Sequence, residues 1–128
     1  MCLNYGRVLT QIRLGLSPLN LHLFTYSIIE TPMCPNCLVN VESTQHYFLD
    51  CVHYNDIRAV LLSNITKILI QFNVKIDCIY PRDRDLILRA IVHGFGRDVS
   101  LSRKINELIY ANVVIFISST KRFVQRSI

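Results

Sequence analysis

Four residues of metal-ligand type crowd one short stretch of this chain. Cys34-Pro35-Asn36-Cys37 is followed by His46 after eight intervening residues and by Cys51 after four more, a C-x2-C-x8-H-x4-C pattern. Two cysteines two residues apart let the backbone turn back so that both sulfurs, and nearby N–H groups, point inward, and that geometry suits a tetrahedral Zn²⁺. His46 and Cys51 supply the second pair. Four protein ligands leave no open coordination position, so such a site holds structure and does not activate water. The pattern lies where helical spacing is absent: Glu30 to Glu42 contains Pro32, Pro35, Asn36 and Asn40, which reads as turns and a tight hairpin.

The spacing also sets a local constraint. On an ideal helix, residues five apart are offset by about 140°, so one helical face cannot present both His46 and Cys51. The helix must begin, end or distort between them. Thr44 is placed to cap a short helical turn running through Asp50. His53 competes with His46 as fourth ligand, but His46 keeps the ligands in two separated pairs.

Three other chemistries fit less well. A thiol–disulfide site would follow an apolar strand and open a helix, whereas Cys34 follows Glu30-Thr31-Pro32-Met33 and Asn40 interrupts soon after. A zinc deaminase needs H-x-E, yet the residues two beyond the four histidines are Phe24, Phe48, Asn55 and Phe95. Buried free cysteines beside a surface histidine leave the coincidence of four ligand-type residues unexplained. No phosphate-binding glycine loop and no nucleophile elbow occurs, so catalytic residues are expected to be none.

Elsewhere the apolar spacing is helical. Leu9, Ile12, Leu14 and Leu16 suggest a short helix broken at Gly15, and Ser17-Pro18 reads as a capped start for the next. Tyr54, Ile57, Leu61, Ile65, Ile68 and Phe72 step by three or four, an amphipathic helix of about five turns. Its Leu61, Ile65 and Ile68 are expected to face the last helix around Leu108 to Phe116. Asp83 or Asp85 suits the start of a further helix, and Gly94 and Gly96 its end. Ser100 or Ser102 opens a last helix whose stretch Val113 to Ile117 is apolar almost all round, so it is expected at the centre. The fold class is mainly α: one helical domain over 1–128, a zinc knuckle at 30–54 within it, and a basic, frayed tail at 121–128.

Composition narrows the setting. Hydrophobic residues make up 51% of the 128 and charged residues 18%, which excludes a disordered chain. A mean hydropathy of +0.31 implies a generous core or an apolar surface that meets a partner. No apolar run approaches the roughly 20 residues of a spanning helix, so no membrane partner is expected. Five cysteines, an odd number, and no export signal favour an intracellular metal site over a disulfide framework. The net charge of +5 leans towards nucleic acid, but unevenly. Residues 1–29 carry no acid, while 30–56 hold Glu30, Glu42, Asp50 and Asp56 and no Lys or Arg. A zinc ion with three thiolates adds a further net negative charge to that segment, so phosphate contacts must come from outside it. The candidates are Arg7 and Arg13 near the start and Lys121, Arg122 and Arg126 in the tail. Tyr47 and Phe48 could stack on bases, but with this charge they read as packed beneath the metal.

The segment Gln11-Ile12-Arg13-Leu14-Gly15-Leu16-Ser17-Pro18-Leu19-Asn20, the zinc pattern, and His46-Tyr47-Phe48-Leu49-Asp50-Cys51-Val52-His53-Tyr54 together resemble the zinc-binding segment at the C-terminal end of non-LTR retrotransposon reverse transcriptases. Thr120-Lys121-Arg122-Phe123 is similar to the end of such polyproteins. The likeness covers about residues 8–62 well and the rest loosely. Gln45 stands where the family has Glu, and His53 near its usual Pro. Polymerase and nuclease motifs are missing. The resemblance implies a non-catalytic fragment that helps hold nucleic acid in its parent protein, in nucleus or cytoplasm. Its apolar surface would meet an upstream polymerase domain or another protein. The alternative is a helical protein–protein interaction module that zinc merely stabilises.

Overall fold

The computed structural model describes residues 5–72, 84–94 and 99–123, without the side chains of 84–87 and 99–102. Five α-helices form: α1 (Tyr5–Arg13), α2 (Asn20–Thr25), α3 (Asn55–Gln71), α4 (Arg84–His93) and α5 (Val99–Thr120). Among the described residues no strand forms; Met33 and Val41 make a single antiparallel bridge. A π-helical turn (His46–Asp50) and a 3₁₀ turn (Val52–Tyr54) lead into α3. The mainly α reading holds.

α5 is the central element, packed against α1, α3 and α4. Its Ile105, Ile109, Val113, Phe116 and Ile117 are buried, an i, i+4, i+7/8 stripe. α3 answers with Leu61, Ile65, Ile68 and Leu69. The side-chain amide of Asn64 donates to Asn112 Oδ1 at 3.0 Å, fixing the register of α3 on α5. The expected face of α3 is therefore the observed one. The apolar girdle of α5 is incomplete, because Ile115 stays exposed.

The first helix ends sooner than its leucines suggest. Gly15 adopts φ +71°; its N–H donates to Ile12 O at 3.1 Å, and Leu16 N–H to Gln11 O at 2.9 Å. This paired closure needs a left-handed residue that glycine adopts without steric cost. It turns Leu14 and Leu16 outward, so both are exposed rather than core. Ser27, at φ +60°, closes α2 the same way, with Ile28 N–H on Leu23 O.

The expected Ser17 cap is also corrected. α2 starts at Asn20, and Ser17 is buried before it, its Oγ accepting from Leu19 N–H at 3.2 Å and meeting His22 Nδ1 at 2.7 Å. The free N–H of Asn20 is met from a distance in sequence, by Glu42 Oε1 at 2.8 Å. Gly94 ends α4 at φ +79°. A Cβ there would lie 2.8 Å from Asn106 Oδ1, the end of a side chain that can shift, so it is the left-handed conformation that favours glycine. α5 is already helical at Val99, so neither Ser100 nor Ser102 opens it. Cys2, Cys78, Asp83 and Gly96 lie outside the described residues, and the side chain of Asp85 is not described.

Candidate metal centre

The hairpin expected over 30–42 is built on short backbone bonds. Cys34 N–H donates to Asn40 O and Glu42 N–H to Pro32 O, each at 2.8 Å. Leu38 N–H then closes a turn on Cys34 O at 3.0 Å, with Leu38 itself at φ +60°. Cys34 and Cys37 thus lie on the two sides of one tight turn.

The second ligand pair depends on the distortion that its spacing requires. Ser43, not Thr44, opens the helical turn: its Oγ accepts from His46 N–H at 3.0 Å. The chain then widens into a π turn in which Cys51 N–H donates to His46 O at 2.8 Å. An i→i+5 bond adds a residue to the turn, so His46 and Cys51 return to one side. A buried cation takes the carbonyls at the end of this turn, where Tyr54 N–H also reaches Cys51 O at 3.2 Å. Arg58 Nε donates to Phe48 O at 2.8 Å and Nη2 to Cys51 O at 2.7 Å. Its Nη1 donates to Asn55 Oδ1 at 2.9 Å.

Cys34, Cys37, His46 and Cys51 come together as expected. One donor atom from each lies within 4.8 Å of all the others. Cys34 Sγ and Cys51 Sγ are 3.8 Å apart, and Cys37 Sγ and His46 Nε2 are 3.4 Å apart. Two sulfurs each about 2.3 Å from a tetrahedral zinc lie about 3.8 Å apart, and a sulfur–nitrogen pair about 3.6 Å. The residues present therefore fit a tetrahedral ion. Cys34, His46 and Cys51 are buried and Cys37 is half-buried.

The ligands differ electrostatically. Burial pushes the Cys34 thiol up to about 11. Backbone N–H groups of Val39 and Asn40 lower that of Cys37, favouring its thiolate. Burial lowers the His46 pKa, with Glu42 opposing more weakly; a neutral imidazole is the form that ligates. His53 is exposed and outside the cluster.

Tyr47 and Phe48 are fully buried, packed into the core rather than presented to bases, as expected. The Tyr47 ring meets Phe48, Tyr54, Phe116 and Phe123 edge-on, with centroids 4.9–5.5 Å away. Burial raises the pKa of Tyr47 and of Tyr54 above the ordinary tyrosine value.

The cations expected to meet phosphate do not share one fate. Arg7 is exposed on α1, and so is Arg13, whose Nε donates to the Val92 carbonyl of α4. Lys121 is exposed. Arg122 is corrected: its side chain, only 17% exposed, forms a two-pronged ion pair with fully buried Glu42 at 2.7 and 2.8 Å. Its Nη2 also reaches Pro18 O and Asn20 Oδ1 at 3.2 Å. Of the tail expected to fray over 121–128, residue Phe123 is buried; residues 124–128, Arg126 among them, lie outside the described residues.

Sequence reasoning missed Glu42, Arg58 and Arg122 as supports of the knuckle. Arg58 had a signal, since it stands three residues before Leu61 on the core face of α3. Nothing local marks Glu42 and Arg122, eighty positions apart. Between them the two arginines bring positive charge to a segment that carries none of its own.

Comparison with protein-family models, with curated proteins and with solved structures found no match. Among the described residues no helix is long and apolar enough to cross a membrane. The site and fold define a small helical domain with a Cys3His group whose donor atoms are placed to hold a metal ion.

Proposed function

We propose that this chain is a structural zinc-binding module, derived from the C-terminal part of a retroelement reverse transcriptase, that assists nucleic-acid binding in its parent protein. The observation that carries the zinc reading is the Cys3His cluster with all four donor atoms within 4.8 Å. Zinc, borderline soft and indifferent to geometry beyond four ligands, matches three thiolates and an imidazole. The ion would join the 34–38 turn to the π turn and contribute directly to folding. The retroelement reading rests on the motif sequence around that cluster. Support for a nucleic-acid role is limited to the acid-free start with Arg7 and Arg13, together with Lys121.

The test has two parts. Metal analysis and a zinc titration of protein purified without chelators should give one zinc per chain. Binding curves in a salt series should show weak, sequence-indifferent binding whose salt slope falls by about one unit per phosphate contact removed. No stoichiometric zinc refutes the module; zinc without salt-sensitive polynucleotide binding refutes the nucleic-acid role.

A second reading has its own observation. Val60 and Ile115 stay exposed beside a cavity of about 150 Å³ between α3 and α5, and Leu38, Val39 and Val52 are exposed around the knuckle. A zinc-stabilised protein–protein module accounts for that apolar surface. A tight oligomer indifferent to polynucleotides would favour it.

A further inference from the structure

The C-terminal end of α5 does not merely cover the metal centre; it is tied to it by three separate contacts. Tyr47, adjacent to ligand His46, shares a 2.7 Å hydrogen bond between its hydroxyl and Thr120 Oγ1. Phe123, just past the helix, sets its ring edge-on to the same tyrosine at 5.4 Å. Between them in sequence, Arg122 clamps Glu42.

Glu42 is where these ties meet the ligand hairpin. It follows Val41, which bridges Met33, the residue before ligand Cys34. Its own N–H donates to Pro32 O, its carbonyl accepts from Leu21 N–H, and its carboxylate accepts from Asn20 N–H and Arg122. Asn20 returns to the hairpin through its amide, which donates to Met33 O at 2.6 Å. A fully buried carboxylate without its guanidinium would be an uncompensated charge. Glu42 is therefore held where it is only while the hairpin is closed and Arg122 is docked.

We infer that metal occupancy and the docking of Thr120–Phe123 form one two-state unit, so that metal loss frees Arg122 and metal binding withdraws it. This rests on the zinc reading above. The hairpin that places Glu42 closes onto the ligands, whose cysteines are free of disulfides, so the metal would be the side-chain cross-link that joins Cys34 and Cys37 to His46 and Cys51. With the metal bound, Arg122 is spent on Glu42; without it, the tail gains a solvent-facing cation for an anionic partner. Thermodynamic reciprocity then requires that breaking the Glu42–Arg122 clamp weaken metal binding.

The experiment measures zinc affinity of the full chain by chelator competition. Arg122→Gln and Glu42→Gln should each bind zinc on the order of tenfold more weakly. Lys104→Gln, which removes an exposed cation elsewhere, and Ile65→Val, which lowers stability away from the hairpin, should stay within twofold of wild type. Both clamp variants within twofold of wild type would overturn the inference. If they fail to fold, hydrogen exchange of the wild-type chain decides. Amides of 118–123 should lose protection on zinc removal while those of α3 keep theirs; unchanged protection at 118–123 overturns the coupling. If α3 loses protection too, 118–123 must regain protection at the same zinc concentration as 34–51, and recovery at a different concentration overturns it. A wild-type chain that binds no zinc at all is a different failure, that of the metal reading itself.

Discussion

The N–H of Cys51 donates to the carbonyl oxygen of His46 across 2.8 Å, closing a π turn between two candidate ligands. A regular α-turn would set the two side chains about 140° apart. The single extra residue brings them to one side, and the carbonyls of Phe48 and Cys51 are left facing a buried side chain of α3. Arg58 donates to both, joining the Tyr54 N–H on Cys51 O, so one buried guanidinium supports the distortion that the ligand spacing demands.

Replacement of Arg58 by Lys therefore fails to rescue the turn. An ammonium cannot span the Phe48 and Cys51 carbonyls as the guanidinium fork does, and each hydrogen bond to a charged group contributes about 1.5–3 kcal/mol. Chemical denaturation of Arg58→Lys with zinc present is expected to show a loss of about 2–4 kcal/mol. A loss below about 0.5 kcal/mol, within the range of ordinary surface substitutions, would show that the fork contributes nothing.

Cys37→Ser and Cys51→Ser each leave three ligands. Structural zinc in small peptides contributes on the order of 10–16 kcal/mol at neutral pH, so either change should abolish stoichiometric zinc and loosen residues 30–54. Zinc titration followed by hydrogen exchange checks this. Full zinc retention in Cys51→Ser would remove Cys51 from the ligand set.

The α3–α5 contact is tested by truncation. Leu61 and Ile65 are 2% and 3% exposed, and replacing either by Ala should cost about 2–5 kcal/mol. Urea denaturation reads the value directly.

Leu38 is 73% exposed at φ +60°. A left-handed backbone costs a residue with a side chain roughly 1–2 kcal/mol, while glycine's extra freedom when unfolded returns part of that gain. Leu38→Gly should thus stabilise the zinc-loaded protein by up to about 1 kcal/mol. A fall in Tm would mean that the Leu38 side chain makes a stabilising contact.

His22 offers a pH test away from the metal. Burial lowers its pKa below the ordinary 6.5, with Glu42 opposing, and its Nδ1 faces both the hydroxyl and the N–H of Ser17. The fold thus favours neutral imidazole, and the unfolded chain takes up a proton first. The sign follows: this stability is present above pH 6.5 and is lost as the pH falls through the lower folded value. A proton NMR titration should place the His22 midpoint below 6.5; a midpoint at or above 6.5 rejects the contact as drawn.

What the sequence by itself determined was local or periodic. Three-and-four spacing gave the buried face of α3, because side-chain direction in a helix repeats every 3.6 residues. The ligand pattern pointed to the four candidate ligands and required a break between His46 and Cys51, because both follow from helix geometry and coordination number. Tertiary structure decided the rest. Leu14 and Leu16 continue an apolar rhythm, yet the left-handed turn at Gly15 carries them into solvent. Ser17 looks like a helix cap, but a buried carboxylate from the hairpin meets Asn20 instead. Arg122 belongs by sequence to a basic tail, and only the packing of α5 brings it to Glu42. Charges that distant in sequence find each other through the fold, and burial, which makes such a pair costly to break, has no signature in either residue's neighbours.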